Sequence, residues 1–131
     1  MDWSSIRYFK PKEFDSSDAP GSGDRMKFGF VKKLDVLREI VAIPLIVDSG
    51  FRTAKHNAKV GGEPGSEHLV GGAADIRAIG SQTRFLILNA AFSLGFKRIG
   101  IGSTFIHLDD SANLDQKVVW LYPPGTKKSG K

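Results

Sequence analysis

The sequence predicts an α+β domain in which helices pack on a small, mostly antiparallel sheet. Three observations predict it. Two segments, "RMKFGFVKKLDVLREIVAIP" and "SQTRFLILNAAFSLG", repeat their apolar residues at helical spacing. Three short runs rich in β-branched and aromatic residues, "KRIGIG", "TFIHLDD" and "KVVWLYP", crowd into the last third of the chain. Between the helices lie "PLIVDSGFR" and "GGAADIRAI", each bounded by turn-forming residues. At 131 residues the chain fits one domain, 1–131, large enough to bury roughly two-thirds of the surface its unfolded form exposes.

Taken in order, residues 1–24 form an N-terminal segment and loop. The aromatics of "YFKPKEF" pack onto the domain, and "DSSDAPGSGD" (15–24) is a polar Pro/Gly/Ser cluster without regular structure. The first helix follows. Phe30, Leu34, Leu37 and Val41 recur at i, i+4, i+7 and i+11, while Lys32, Lys33, Asp35, Arg38 and Glu39 take the other face. Asp24 is its expected N-cap and Pro44 its stop.

A strand is expected at about 45–48, then two helical turns in "TAKHNAKV", a loop forced by "GGEPGS" and a short strand in "GGAADIRAI". The second long helix has Ser81 as its cap, Phe85, Leu88 and Phe92 on one face, and Gly95 as its C-terminal stop. The last three runs read as antiparallel neighbours joined by short turns. The tail, 123–131, reads as mobile.

Composition excludes several chemistries. There is no cysteine, so disulfides, thiolate metal sites and a thiol nucleophile are ruled out, and a transition metal must be held by His, Asp or Glu. "MDWSSIRYFKPKEF" has no long apolar run, and no stretch near ~18 apolar residues occurs, so neither a signal peptide nor a membrane span is read. The net charge is +5 with a pI near 9.6, which favours anionic partners such as cell-wall polymers. No recognised nucleic-acid motif accompanies the charge, so specific nucleic-acid binding is not expected. A monomer is favoured.

His68, Asp75 and His107 are the residues to assemble into a site. Three such ligands with one open position are what a catalytic zinc needs. Gly71, Gly72, Ala73 and Ala74 leave little bulk between His68 and Asp75, so both side chains can converge. Asp75 sits in an apolar, small-residue segment where an unpaired carboxylate is costly. A metal removes that cost, and so does pairing with Arg77 or Arg52, which leaves His68 a hydrogen-bonded loop histidine. In "TFIHLDD" the strand period puts Phe105, His107 and Asp109 on one face and Ile106 and Leu108 on the other. Asp109 lies about 7 Å further along the strand, within reach of a metal-bound water.

"SGFR" (49–52), Asn57 with Val60 to Gly62, "SEHLVGGAADI" (66–76) and "IGIGSTFIHLD" (99–109) together resemble the zinc D-Ala-D-Ala carboxypeptidase-like peptidases of family M15, in the branch with the Hedgehog/DD-peptidase fold. The family pattern S-x-H-x-x-G-x-A-x-D is matched at Ser66, His68, Gly71, Ala73 and Asp75, and a later strand histidine at His107. The resemblance runs in family order over about 8–122.

It implies zinc bound by His68, Asp75 and His107, with Arg52 near the reacting centre as a substrate-binding or transition-state residue. Ser66 then turns the loop or bonds to ligand or substrate. Several branches carry an acid three residues before the last histidine, or a second histidine two before it. Here those places hold Thr104 and Phe105, neither of which can act as a general base.

Asp109 is the nearest same-face substitute, with Glu67 and Glu63 as weaker candidates. His56 is read as structural, on a surface helix. Trp3 and Trp120 are read as core or edge aromatics, Trp120 also being able to line a cleft end. The implied function is hydrolysis of peptidoglycan stem peptides or crosslinks, as in phage-type endolysins that are made in the cytoplasm and act on the wall or in the periplasm after release. The competing reading is a non-catalytic wall-binding or virion structural module of the same fold.

Overall fold

The computed structural model describes residues 2–126. The element order is helix α1 (Phe28–Val41), strand β1 (Val47–Ser49), helix α2 (Ala54–Lys59), strand β2 (Ala73–Arg77), helix α3 (Ser81–Ser93) and strands β3 (Arg98–Ile101), β4 (Phe105–Asp109) and β5 (Val118–Leu121). Short 3-10 turns occupy the N-terminal segment and Glu67–Val70.

α1 forms where the periodicity placed it, but its start differs from expectation. Ser22–Arg25 make a 3-10 turn, Met26 is extended, and Lys27 stands at the N-cap. Asp24 instead accepts a hydrogen bond from the Trp3 indole at 2.9 Å. The helix ends at Val41 because Ala42 adopts a left-handed conformation, φ 61, ahead of Pro44. α3 begins one residue before its expected cap would allow, with Ser81 as its first helical residue and Gly80 at the N-cap.

The five strands form one sheet in the order β1-β2-β4-β3-β5. β1 with β2, β2 with β4 and β3 with β4 are antiparallel, but β5 runs parallel to β3. The sheet is therefore mixed, which corrects the expectation of three antiparallel neighbours. The reason is geometric: β2 and β3 occupy both edges of β4, so the chain leaving β4 crosses the end of β3 and pairs along its free edge in the same direction.

Alternation along the strands sorts the two faces of the sheet. Ala74, Ile76, Ile99, Ile106 and Leu108 join Phe30, Leu34, Leu37, Ile87, Ala90 and Ala91 of α1 and α3 in the core. The expected burial of the N-terminal aromatics is also met, since Phe9 and Phe14 are buried with their rings in an edge-on contact.

On the opposite face, one row crosses the sheet: Ser49 beside Asp75, Asp75 beside His107, His107 beside Gly100, and Gly100 beside Trp120. A Cβ at Gly100 would lie 2.7 Å from atoms of both Trp120 and Tyr122. The missing side chain lets those two rings lie over the sheet next to His107.

The expected mobile tail divides. Residues 123–126 form a turn, closed by Thr126 N–H donating to the Pro123 carbonyl and tied to Ser103 through the Gly125 amide. Residues 127–131 lie outside the described residues.

Candidate metal centre

The row of polar residues across the sheet opens into a cavity of about 710 Å³. Its floor carries Asp75, His107 and Asp109, one wall carries Arg52 and the 62–68 loop, and the other carries Arg98, Trp120 and Tyr122.

Local structure positions each group. Asp75 and His107 face each other across the β2–β4 ladder. His68 arrives from the 3-10 turn Glu67–Val70, whose first amides are capped by the Ser66 hydroxyl accepting from His68 N–H at 3.2 Å. Gly71 ends that turn at φ 80, a conformation glycine adopts without strain. The segment then enters β2 directly, so His68 and Asp75 sit on adjoining walls of one corner.

The ligand atoms of His68, Asp75 and His107 lie within 4.8 Å of one another, and all three residues are buried. His68 Nδ1 is 2.7 Å from the Gly50 carbonyl. A carbonyl only accepts, so this nitrogen carries the proton and Nε2 presents a lone pair. That Nε2 is buried without a hydrogen-bond partner and lies 3.4 Å from Asp75 Oδ1. Two acceptors thus face each other in a buried corner, an arrangement that a cation between them satisfies. Two neutral-capable imidazoles and a carboxylate suit zinc.

His107 bridges two carboxylates. Its Nδ1 lies 2.8 Å from Asp75 Oδ1 and its Nε2 2.7 Å from Asp109 Oδ2. Burial pushes its pKa down, but the hydrogen bonds and charges of Asp109 and Asp75 override this and hold it up at about 9. His68 is the opposite case: burial holds its pKa below the ordinary value against the pull of Asp75. Burial also works against ionising Asp75, yet the histidines on either side keep its carboxyl well below the usual range.

These shifts have a measurable sign in the metal-free protein. Between the ordinary histidine value of 6.5 and about 9, native His107 holds a proton that the unfolded chain has lost. Stability contributed by that proton is fully present at the lower end and disappears as pH rises through the window. His68, neutral in the fold, acts only below its ordinary value. The chelated protein is therefore expected to melt at a lower temperature near pH ~9.5 than near pH ~7. A melting temperature that rises over this range in calorimetry would contradict the His107 bridge.

Arg52 is 2% exposed. Its Nε donates to Ser49 Oγ at 2.9 Å, Nη1 to Asn57 Oδ1 at 3.2 Å and Nη2 to Asp75 Oδ2 at 3.1 Å. It is thereby braced against a metal-site carboxylate while lining the cavity. Ser66, Glu63 and Glu67 also line it, and Glu67 is engaged by Lys27 Nζ at 2.7 Å. Asp109 shares the floor, with Arg98 Nε at 2.8 Å and the Ser111 amide at 3.0 Å on its Oδ1.

His56, expected on a surface helix, is in fact buried against Ser17, with Nδ1 3.3 Å from the Ser17 hydroxyl. The fold leaves it outside the cavity lining.

Sequence reasoning missed Arg98 and Tyr122. The available signal was alternation: Arg98 and Gly100 on β3, and Trp120 and Tyr122 at β5, share the face of His107. The parallel placement of β5 had to be known before that face could be assigned. Burial, followed by the charge of Asp75, raises the Tyr122 hydroxyl to about 12, so it stays a neutral donor at the cavity edge. Arg98 stacks its guanidinium 5.0 Å from the Trp120 ring centroid.

Over 68 residues the chain is 40% identical to the zinc D-Ala-D-Ala carboxypeptidase of Streptomyces albus G, a match covering 51% of this chain and 26% of that protein. The chain thus spans about a quarter of that relative's length. The crystal structure of the Serratia marcescens L-Ala D-Glu endopeptidase ChiX superposes with a TM-score of 0.50 at 16% identity, covering 84% of this chain and 96% of that one. This is a likeness of fold, in line with the expected Hedgehog/DD-peptidase-like architecture. A family model described as Peptidase M15 matches residues 8–109, a span running from the N-terminal aromatics to the end of β4 and holding every residue of the His-Asp-His corner, and the chain belongs to that family.

Proposed function

We propose that the protein is a zinc-dependent peptidase that hydrolyses peptide bonds in peptidoglycan stem peptides or crosslinks. The observation that carries this reading is the corner formed by His68, Asp75 and His107, where a buried, unpartnered imidazole nitrogen meets a carboxylate. The names of the relatives in the family support the substrate class. Its place of action is then the wall or the periplasm.

In this reading His68, Asp75 and His107 hold the zinc, which when bound acidifies a water and polarises a carbonyl. The residues around it do the rest. Arg52 pairs with Asp75 and presents positive charge at the cavity wall, where a substrate carboxylate or the developing oxyanion is stabilised. Ser66 holds the His68 turn and offers its hydroxyl at the rim.

Trp120 and Tyr122 provide an apolar wall with a neutral hydroxyl donor, suited to a peptide's side chains and carbonyls. Glu63 and Glu67 of the cavity wall are the carboxylates left to serve as proton acceptor. The open, polar-rimmed cavity accommodates a short peptide segment, and the positive net charge draws the protein to an anionic polymer.

The test is incubation of the purified protein with peptidoglycan, with and without a zinc chelator, followed by mass spectrometry of the released fragments. We expect new fragments that vanish on chelation and return with added zinc, their masses naming the bond. Zinc-loaded protein that binds the polymer and releases nothing would instead favour a non-catalytic wall-binding module.

A further inference from the structure

We propose that Asp109 is a positioning residue that fixes the ring of His107 for the metal, and that it is not the proton acceptor. The inference rests on the zinc reading above and concerns what this chain does to one ligand.

Its basis is the number and direction of the contacts on one carboxylate. Asp109 is buried, with a side chain 2% exposed. Oδ2 is 2.7 Å from His107 Nε2. Oδ1 receives both Arg98 Nε at 2.8 Å and the Ser111 amide at 3.0 Å. Arg98 is itself held by the Asp115 carbonyl at 2.6 Å and by the Trp120 ring.

A carboxylate held from both sides is poorly placed to swing toward a water, which is what a base must address. It is well placed to accept a proton-bearing ring nitrogen. With Nε2–H committed to Asp109, Nδ1 is the nitrogen that gives up its proton and turns a lone pair to the cation. Nδ1 is the atom beside Asp75 Oδ1, on the side that His68 Nε2 also approaches. Carboxylates in this relation to a ligand histidine set its tautomer and orientation, and losing one costs ~10- to 100-fold in metal affinity or activity.

The asymmetry of the contacts yields a discriminating substitution. In Asp109→Asn, one amide oxygen must choose between two positions. At the Oδ1 position it satisfies two donors, one of them a guanidinium, so it stays there and the NH₂ group faces His107 Nε2. That nitrogen is then forced to accept, and the ring proton moves to Nδ1, where it blocks the metal-facing lone pair. Asp109→Ala leaves the ring free to adopt either tautomer. The near-isosteric change is therefore expected to be the more damaging one, an order that a purely structural role would not produce.

The experiment is zinc-affinity measurement by competition with a fluorescent chelator at neutral pH, on wild type, Asp109→Ala and Asp109→Asn, with near-UV circular dichroism reporting the fold. Expected is a loss of ~10- to 100-fold for alanine and a larger loss for asparagine. Wild-type affinity in both variants, accompanied by collapsed turnover, would overturn the proposal and give Asp109 the base's role. Alanine binding more weakly than asparagine would overturn it as well. If neither variant folds, Arg98→Gln removes one brace from Asp109 and is expected to weaken zinc several-fold, with no change overturning the idea. Wild type that binds no zinc would remove the metal reading itself, and this proposal with it.

Discussion

Replacing His68 with alanine is expected to weaken zinc binding by more than ~100-fold and to abolish chelator-sensitive hydrolysis. The figure follows from comparison: loss of a group that only orients a ligand costs ~10- to 100-fold, and His68 supplies a ligand atom itself. Its Nε2 is already desolvated and without a hydrogen-bond partner, so the lone pair needs no other bond broken before it can serve a cation. The fold should survive the change. The Gly50 carbonyl loses its 2.7 Å donor, a loss of about 1–3 kcal/mol if water does not replace it.

His56→Ala is the matched control, since it removes a buried histidine that does not line the cavity. Zinc content by atomic emission should fall for His68→Ala and His107→Ala and stay unchanged for His56→Ala. Full zinc content in His68→Ala would show that the ligand set is wrong.

Arg52→Ala is expected to cost about 3–5 kcal/mol of stability in the metal-free protein, the range for stripping one partner from a buried ion pair. Arg52 and Asp75 have side chains each 2% exposed and 3.1 Å apart, so neither finds water as a replacement. Two further donors on Arg52, to Ser49 and Asn57, tie β1 and α2 to the site, and their acceptors are stranded too. Bound zinc supplies positive charge beside Asp75, so the loss should shrink when the protein is loaded.

Denaturant unfolding of wild type and Arg52→Ala, with and without zinc, checks this. A penalty of similar size in both states would mean that the metal does not share Asp75 with Arg52. Lysine at this position cannot reproduce three separate donor directions from one rigid fork. Arg52→Lys should therefore recover little of the stability, and a kcat that falls with KM unchanged would place Arg52 at the developing charge.

Much of this protein was legible in its residues. The helical period of Phe30, Leu34, Leu37 and Val41, and the alternation in "TFIHLDD", follow from local geometry with fixed periods, so α1 and the two faces of β4 could be read directly. The spacing from Ser66 to Asp75 encodes a turn and a strand start, which is a local arrangement also.

What the residues did not disclose depends on contacts between distant segments. The parallel course of β5 depends on which sheet edge remains free, and that decided that Trp120, Tyr122 and Arg98 enclose the cavity. Asp24 has no capping role because the chain passes through a 3-10 turn at Ser22–Arg25 and α1 starts only at Phe28. His56 became buried because the N-terminal loop folds over α2.

Asp109 shows the division most clearly. Its position on the face of His107 was set by a two-residue period, which the sequence by itself determined. Whether its carboxylate meets a water or is clasped between Arg98, Ser111 and His107 depended on bringing β3 and the loop after β4 against it, and only the tertiary structure could decide that. Periodicity is a property of neighbouring residues, whereas the partners of a buried charge are chosen by packing across the whole sheet.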